Sequence, residues 1–499
     1  MVVTFFNLLI ILCFDVFGQS HSRFPVIVSN VLDSAETIFI CETDKPNLAD
    51  IVSGIAGFSK KNVVRVSINF TAEETPISTS TPWIQDAIVF GYSGGRAAVL
   101  EPPGEQSLSA WAKKYFTKEA AIGLFFKPIS PKVERDRDSR FDCGGNIMAS
   151  PPVPGFPYGC LIVGRDMSEE LKKFLIAQKK QCTKGRLIEI DTRSLHVGHV
   201  DEIISFIPSS TPPGFKLLIA DPEAGLRLLD KIPPEQPIFC EPDGAWHTGF
   251  VTKAGARFIE DTTFRFSPKR WNYVRIISGQ GAGQTARVYQ TQERRLIIDM
   301  VFDFRSQEFG ISGSSVTSII HGGVLGRVEK MPIWFDVPDH TSRYLVVTSS
   351  KEWLDEENEP FPAVLMAGEL TNDGLLRHGN RKIAQMFRKA ETVVREGLGG
   401  VPDAAIIRLP VLFSATEDGQ DAYALVPNLV NLQVFNREIL LPKTFFGKKT
   451  KEDMTGDPFE AEAIRLISDP FIRLHFIDVW NSVHRRYGGV HCGTNVRRK

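Results

Sequence analysis

Gly488-Gly489-Val490-His491-Cys492-Gly493-Thr494-Asn495-Val496-Arg497-Arg498-Lys499 closes the chain, and its reading decides how everything before it is read. A cysteine beside a histidine and near paired glycines can present a thiol where a ligand must approach bare backbone. A free cysteine is also among the most buried residue types, so the tail alone admits an inert thiol as well. Two other stretches bear on the choice. Trp83-Ile84-Gln85-Asp86 adds an aromatic plane and a carboxylate, and Val197-Gly198-His199-Val200-Asp201-Glu202 adds a histidine and further acids.

The 499 residues hold ample material for a large core, and a length prior gives roughly two or three domains. A hydrophobic fraction of 42% and a charged fraction of 23% are those of an ordinary globular chain. The net charge of -1 argues against a general affinity for nucleic acid or anionic membrane. At the N-terminus, Leu8-Leu9-Ile10-Ile11-Leu12-Cys13-Phe14 and the following Val16-Phe17-Gly18 form an apolar run. It has the length of a signal-peptide core and is too short to span a bilayer, so residues 1–18 are expected to be a leader and the protein secreted. The sequon Asn69-Phe70-Thr71 agrees with secretion. Seven cysteines occur, at 13, 41, 143, 160, 182, 240 and 492. Without Cys13 the rest could pair in an oxidising compartment, but a working Cys492 would leave at least one other thiol free. Their wide spacing contains no CxxC and indicates no zinc knuckle.

Working outward, Glu36–Cys41 and Asn62–Ile68 read as strands with a short helix between Pro46 and Ser59. Ala87–Phe90, Ala97–Leu100, Gly159–Val163, Leu187–Ile190, Ile203–Ile207 and Phe215–Ala220 continue the strands. Ser168, followed by Glu169 and Glu170, predicts a helix start, and Asp221-Pro222 predicts another. The charged run from Lys132 to Arg140 reads as a solvated loop. Near residue 240 the texture changes to short strands separated by turn residues, so residues 241–350 are expected to be an inserted all-β module. Gly279-Gln280-Gly281-Ala282-Gly283 lies there between two strands and opens no helix, which makes it a turn rather than a phosphate loop. The surrounding units, 25–240 and 351–499, alternate helix and strand. In the second, Ile383, Met386, Phe387, Ala390, Val393 and Val394 make one helical face ended by Gly399-Gly400.

On a strand reaching back from Ile203, His199 and Asp201 would share a face and Glu202 would point away. His196, His199 and Asp201 have metal-ligand chemistry but no further ligand at a motif spacing, so no metal site is assigned. A thiol, a histidine, two carboxylates and an aromatic ring together suit a guanidinium group. That cation is planar with five N–H donors, so carboxylates can hold it while a ring stacks on it. Its resonance-stabilised carbon favours a thiolate nucleophile over a hydroxyl.

Trp83–Asp86, Gly145-Asn146 with Ser150-Pro151-Pro152, Val197–Glu202, Pro427-Asn428-Leu429-Val430-Asn431 and His491–Arg498 occur in an order that resembles the catalytic domain of protein-arginine deiminases. The resemblance covers about residues 35–240 and 355–499 and is interrupted by the β-rich stretch. It implies a pentein fold, a pseudo-fivefold α/β propeller with its site on the central axis. It also implies roles: Cys492 as nucleophile, His199 as general acid/base, Asp86 and Asp201 as guanidinium ligands, and Trp83 and Val197 lining the arginine side chain. The implied partners are proteins or peptides carrying arginine, converted to citrulline and ammonia through a thiouronium intermediate, with no nucleic acid and no membrane span.

The resemblance also brings calcium as a candidate cofactor. Gln85 keeps one position of the family's calcium sites, whereas Ala87, Val89 and Met148 stand where acidic ligands are expected, so calcium activation is expected to be lost or altered. Arg96 has no secure match to the family's substrate-backbone clamp, and the family's N-terminal immunoglobulin-like domains are expected to be absent. Two alternatives remain from the sequence: a deiminase of free arginine or agmatine, and a non-catalytic secreted binding protein that uses the β-rich module.

Overall fold

In the computed structural model, the residues described are 25–41, 48–55, 58, 62–66, 82–104, 108–115, 124–126, 139–182, 185–234, 237–238, 246–255, 257–266, 273–282, 284–303, 327–329, 337–347, 352–354, 360–362, 365–414, 419–446, 456–480 and 482–499. The leader expected at 1–18, the sequon at Asn69, and Cys13 and Cys240 lie outside them.

One pairing pattern occurs five times. A first strand runs antiparallel to a second, which runs parallel to a third. The first strands are Val89–Ser93, Ile147–Ala149, Ile204–Pro208, Gln433–Phe435 and Thr494–Arg498. Parallel neighbours need a crossover long enough to carry a helix, and each second-to-third connection contains one. Glu169–Ala177, for example, joins Leu161–Gly164 to Ile188–Ile190, and Pro458–Leu466 joins Glu438–Pro442 to Arg473–Ile477. The fold is therefore mixed α/β, with no closed barrel among the described residues.

The helices begin where oxygen caps are available. Ser168 accepts from the Leu171 amide, Asp221 accepts from the Ala224 amide ahead of Pro222, and Asp373 caps the long Gly374–Gly397 helix. That helix buries Ile383, Phe387, Ala390 and Val394 in the largest core cluster. Gly399, at a φ of 77°, provides the left-handed turn that ends it.

Between the helix Pro222–Leu229 and its parallel third strand Ile406–Pro410 lies an eight-stranded sheet running from Trp246 to Val347. It has its own core, with Val274, Ile276, Leu296 and Tyr344 fully buried or nearly so. Within the glycine-rich stretch, residues 279–282 form a turn between Tyr273–Ser278 and Gln284–Gln292, as its context predicts, and Gly283 lies outside the described residues. No helix among the described residues is long and apolar enough to cross a membrane.

Three sequence expectations change. Val200–Glu202 is a single 3-10 turn entered from an extended His199, so His199 and Asp201 do not sit on a strand. Glu202 is buried rather than pointing away. Ile84–Ala87 is a short helix, with the strand starting only at Val89. Apolar runs this short carry no period that separates a turn from a strand.

Candidate active site

Each of the five first strands is entered through a short turn, and those turns carry the residues singled out above. Gln85 and Asp86 precede Val89–Ser93, and Gly145 and Asn146 precede Ile147–Ala149. His199 and Asp201 precede Ile204–Pro208, Asn428 and Asn431 precede Gln433–Phe435, and Cys492 precedes Thr494–Arg498. The strands themselves line one shared cavity through Val89, Met148, Phe206, Val434 and Val496. Residues hundreds of positions apart thus converge because a repeated unit places its entry turn at one end.

The Cys492 thiol is buried and receives a hydrogen bond from Asn431 Nδ2 at 3.2 Å. It also faces Asp201 Oδ2 at 3.7 Å. Asn431 grips the same turn from its other side, its Oδ1 accepting from the His491 amide at 2.9 Å and from the Cys492 amide at 3.4 Å. His491 Nδ1 lies 2.7 Å from Asp201 Oδ2. Asp201 Oδ1 is buried and has no hydrogen-bond partner. Gln85 donates its amide to the Cys492 carbonyl at 3.3 Å, which fastens the Trp83–Asp86 segment to the thiol turn.

His199 Nε2 contacts the carbonyl of Arg140 at 2.8 Å. Its Nδ1 lies 3.4 Å from Asp86 Oδ1 and has no hydrogen-bond partner. Asp86 Oδ1 accepts from the Gly145 amide at 3.1 Å. A methyl on Gly145 would lie 2.7 Å from Asp86 Oδ1, 2.7 Å from His199 Nδ1 and 3.1 Å from Asp201 Oδ2. Glycine therefore leaves bare backbone where three titratable groups meet. Trp83 is half-buried with its ring against the Cα of Gly488, and Val197 is half-buried two residues before His199.

The electrostatics are those of a site built for a cation. Burial first, then the charges of Asp201 and Asp86, raise the Cys492 pKa well above the ordinary thiol range. Burial first and then Asp201 raise the Glu202 carboxyl likewise. Unpartnered buried acceptors beside stacked-up negative charge are costly unless a positive ligand satisfies both.

All four residues expected to do chemistry, Cys492, His199, Asp86 and Asp201, belong to this arrangement, with Trp83 beside the thiol turn. His196 does not join; it pairs with Asp421 at 2.8 Å and packs against Tyr487. Among the described residues, Asp86, Cys143 and His199 form the grouping with metal-ligand geometry. Four participants had no assigned role in the sequence. Asn431, His491 and Glu202 stood inside quoted motifs, with Glu202 expected to point away, while Arg140 was placed in a solvated loop, and only the polar residues beside Cys492 and His199 could have signalled them. No disulfide is formed by Cys41, Cys143, Cys160, Cys182 or Cys492.

The calcium positions do not fit the ion. Ala87 and Val89 are buried in apolar clusters, Met148 packs against another, and the Gln85 side-chain amide is directed at the Gly144 carbonyl at 3.5 Å. One amide oxygen among four positions is far from the six to eight oxygens, roughly, that calcium takes.

The chain is 23% identical over 483 residues to rat protein-arginine deiminase type-3, covering 93% of this chain and 52% of that protein. It is 33% identical over 434 residues to mouse type-1, covering 84% and 46%. The chain thus spans about half the length of the curated relatives it matches. Among solved structures, C. jejuni agmatine deiminase is 11% identical, with a TM-score of 0.42 over 96% of this chain and 98% of that one. The family model described as protein-arginine deiminase matches residues 22–237 and 345–499, and on that match the chain belongs to the protein-arginine deiminase family.

Proposed function

We propose that the protein hydrolyses the guanidinium of arginine residues in proteins or peptides, giving citrulline and ammonia. The observation that carries this reading is the buried meeting of Cys492, Asp201, Asp86 and His199, with His199 Nδ1 and Asp201 Oδ1 left without partners. A guanidinium supplies the N–H donors those atoms lack and the positive charge that the carboxylates need. With the cation bound, the charge that raises the thiol pKa is offset and the Cys492 thiolate becomes accessible.

In this reading the Cys492 proton passes to His199 Nδ1 and the resulting thiolate attacks the guanidinium carbon. The C–N bond then breaks as His199 gives its proton to the departing nitrogen, which leaves as ammonia. Water gives a proton back to His199 and adds to the thiouronium carbon. The C–S bond breaks, citrulline forms, and the remaining proton passes to solvent. Trp83 and Val197 flank the aliphatic stem of the arginine. The reading includes a pentein arrangement, the five strand units set about a pseudo-fivefold axis through the shared cavity. Residues 1–18 as an export signal and 241–350 as a module inserted into the catalytic domain stand as part of the same proposal. No step runs through calcium.

The deciding assay is citrulline formation from a blocked arginine peptide by wild type and Cys492→Ala, each with calcium and with chelator. Wild type is expected to turn over under both conditions and the variant under neither. Turnover by the variant would remove Cys492 as nucleophile, and strict dependence on added calcium would overturn the calcium-free reading.

A further inference from the structure

Cys143 takes no part in the chemistry above, yet it lies in the same wall of the site. It directly precedes the Gly144–Asn146 turn whose Gly145 amide holds Asp86. One ligand atom each from Asp86, Cys143 and His199 lies within 4.8 Å of the other two. All three residues are buried, at 7%, 7% and 2% exposure.

His199 supplies the second observation. The Arg140 carbonyl can only accept, so the contact at 2.8 Å puts a proton on Nε2. Nδ1 faces Asp86 Oδ1 at 3.4 Å with no hydrogen-bond partner, the atom through which the ring would bind a metal. An imidazole whose far N–H donates to a backbone carbonyl is oriented as metal-bound histidines are.

We propose that Asp86, Cys143 and His199 form a reversible inhibitory site for zinc, a thiophilic divalent cation, in the volume that the arginine guanidinium would occupy. A thiolate, a carboxylate and a neutral imidazole are zinc ligands and leave its fourth position to water. The two anionic ligands balance the charge of the ion. Cys143 must ionise to bind, so one thiol proton passes to solvent for each metal taken up. Calcium and magnesium, which prefer oxygen ligands, compete poorly for such a donor set. Because the same Asp86 and His199 are needed by substrate, zinc and arginine exclude one another. Only that inhibitory half rests on the deiminase reading; binding itself does not.

Two measurements test it. Zinc is expected to inhibit citrulline formation competitively with the arginine peptide, with no relief by excess calcium. Cys143→Ser is expected to weaken the inhibition by at least the roughly tenfold that losing even an outer-shell partner costs. Binding is read separately with cobalt(II) on Cys492→Ala, where Cys143 is the thiol left at the site. A near-ultraviolet thiolate-to-cobalt band is expected, and it should vanish in Cys492→Ala/Cys143→Ala, with circular dichroism reporting that the double variant is folded. Equal zinc inhibition in Cys143→Ser, or no cobalt band in Cys492→Ala, overturns the site. A band without any citrulline formation by wild type would instead retain the metal site and sink the deiminase reading.

Discussion

Cys492 rests as a thiol whose ionisation is opposed by its own surroundings. Burial and the charge of Asp201 raise its pKa, although a thiolate is what nucleophilic attack requires. The sign gives a prediction at this scale. Asp201→Asn removes a negative charge beside Sγ, so the thiol pKa falls and more thiolate is present at neutral pH. Alkylation of Cys492 by iodoacetamide should speed up by roughly tenfold for each unit by which the pKa drops. Citrulline formation should be lost in the same variant, because a guanidinium ligand is gone. Slower alkylation would show that Asp201 serves the thiol as something other than a repelling charge. Glu202 marks where residue-level reading failed. Alternation placed it on the outer face of a strand, but a 3-10 turn carries it inward, where burial and Asp201 raise its carboxyl pKa.

At the scale of elements, the short turns before five first strands do the positioning, and each contributes something different. The turn before Thr494–Arg498 needs two glycines for close approach. Gly489 lies against the Asn431 side chain, and Gly488 lies against the Trp83 ring. A Cβ on Gly488 would overlap that ring, so Gly488→Ala must move either Trp83 or the Cys492 turn. The expected result is a loss of about tenfold or more in kcat/KM, equivalent to about 1.4 kcal/mol of transition-state stabilisation. The thermal midpoint should stay near wild type, because the clash lies at a half-buried ring on the site's edge. A full loss of stability with no separate kinetic effect would contradict a positioning role. The sequence displayed these turns as motifs, but their conformation had no period to read. The helix caps at Ser168 and Asp221 were legible because capping is local chemistry, fixed by residues within one turn.

Over the whole molecule, the last strand completes the first sheet. Thr494–Arg498 pairs antiparallel with Ala35–Cys41, so the two ends of the described chain close one unit. Arg498 sits buried at that junction, donating to the carbonyls of Val31, Asp33 and Val434, with its pKa lowered to about 10 mainly by burial. Arg498→Met should leave those carbonyls without their charged donor and cost about 2–4 kcal/mol in denaturant unfolding. An unchanged midpoint would show that the closure does not depend on this residue. By itself the sequence determined the candidate site residues, their order along the chain, the capped helices and the β-rich stretch between two α/β segments. Those features are written in local residue chemistry and in motifs a few residues long. Only the tertiary structure decided that five entry turns face one site, that Asn431 and His491 hold the thiol and Asp201, and that Cys143 stands beside Asp86 and His199. Such contacts join residues hundreds of positions apart, 291 in the case of Cys492 and Asp201. Long-range pairing depends on how sheets and crossovers pack, which no local pattern along the chain encodes.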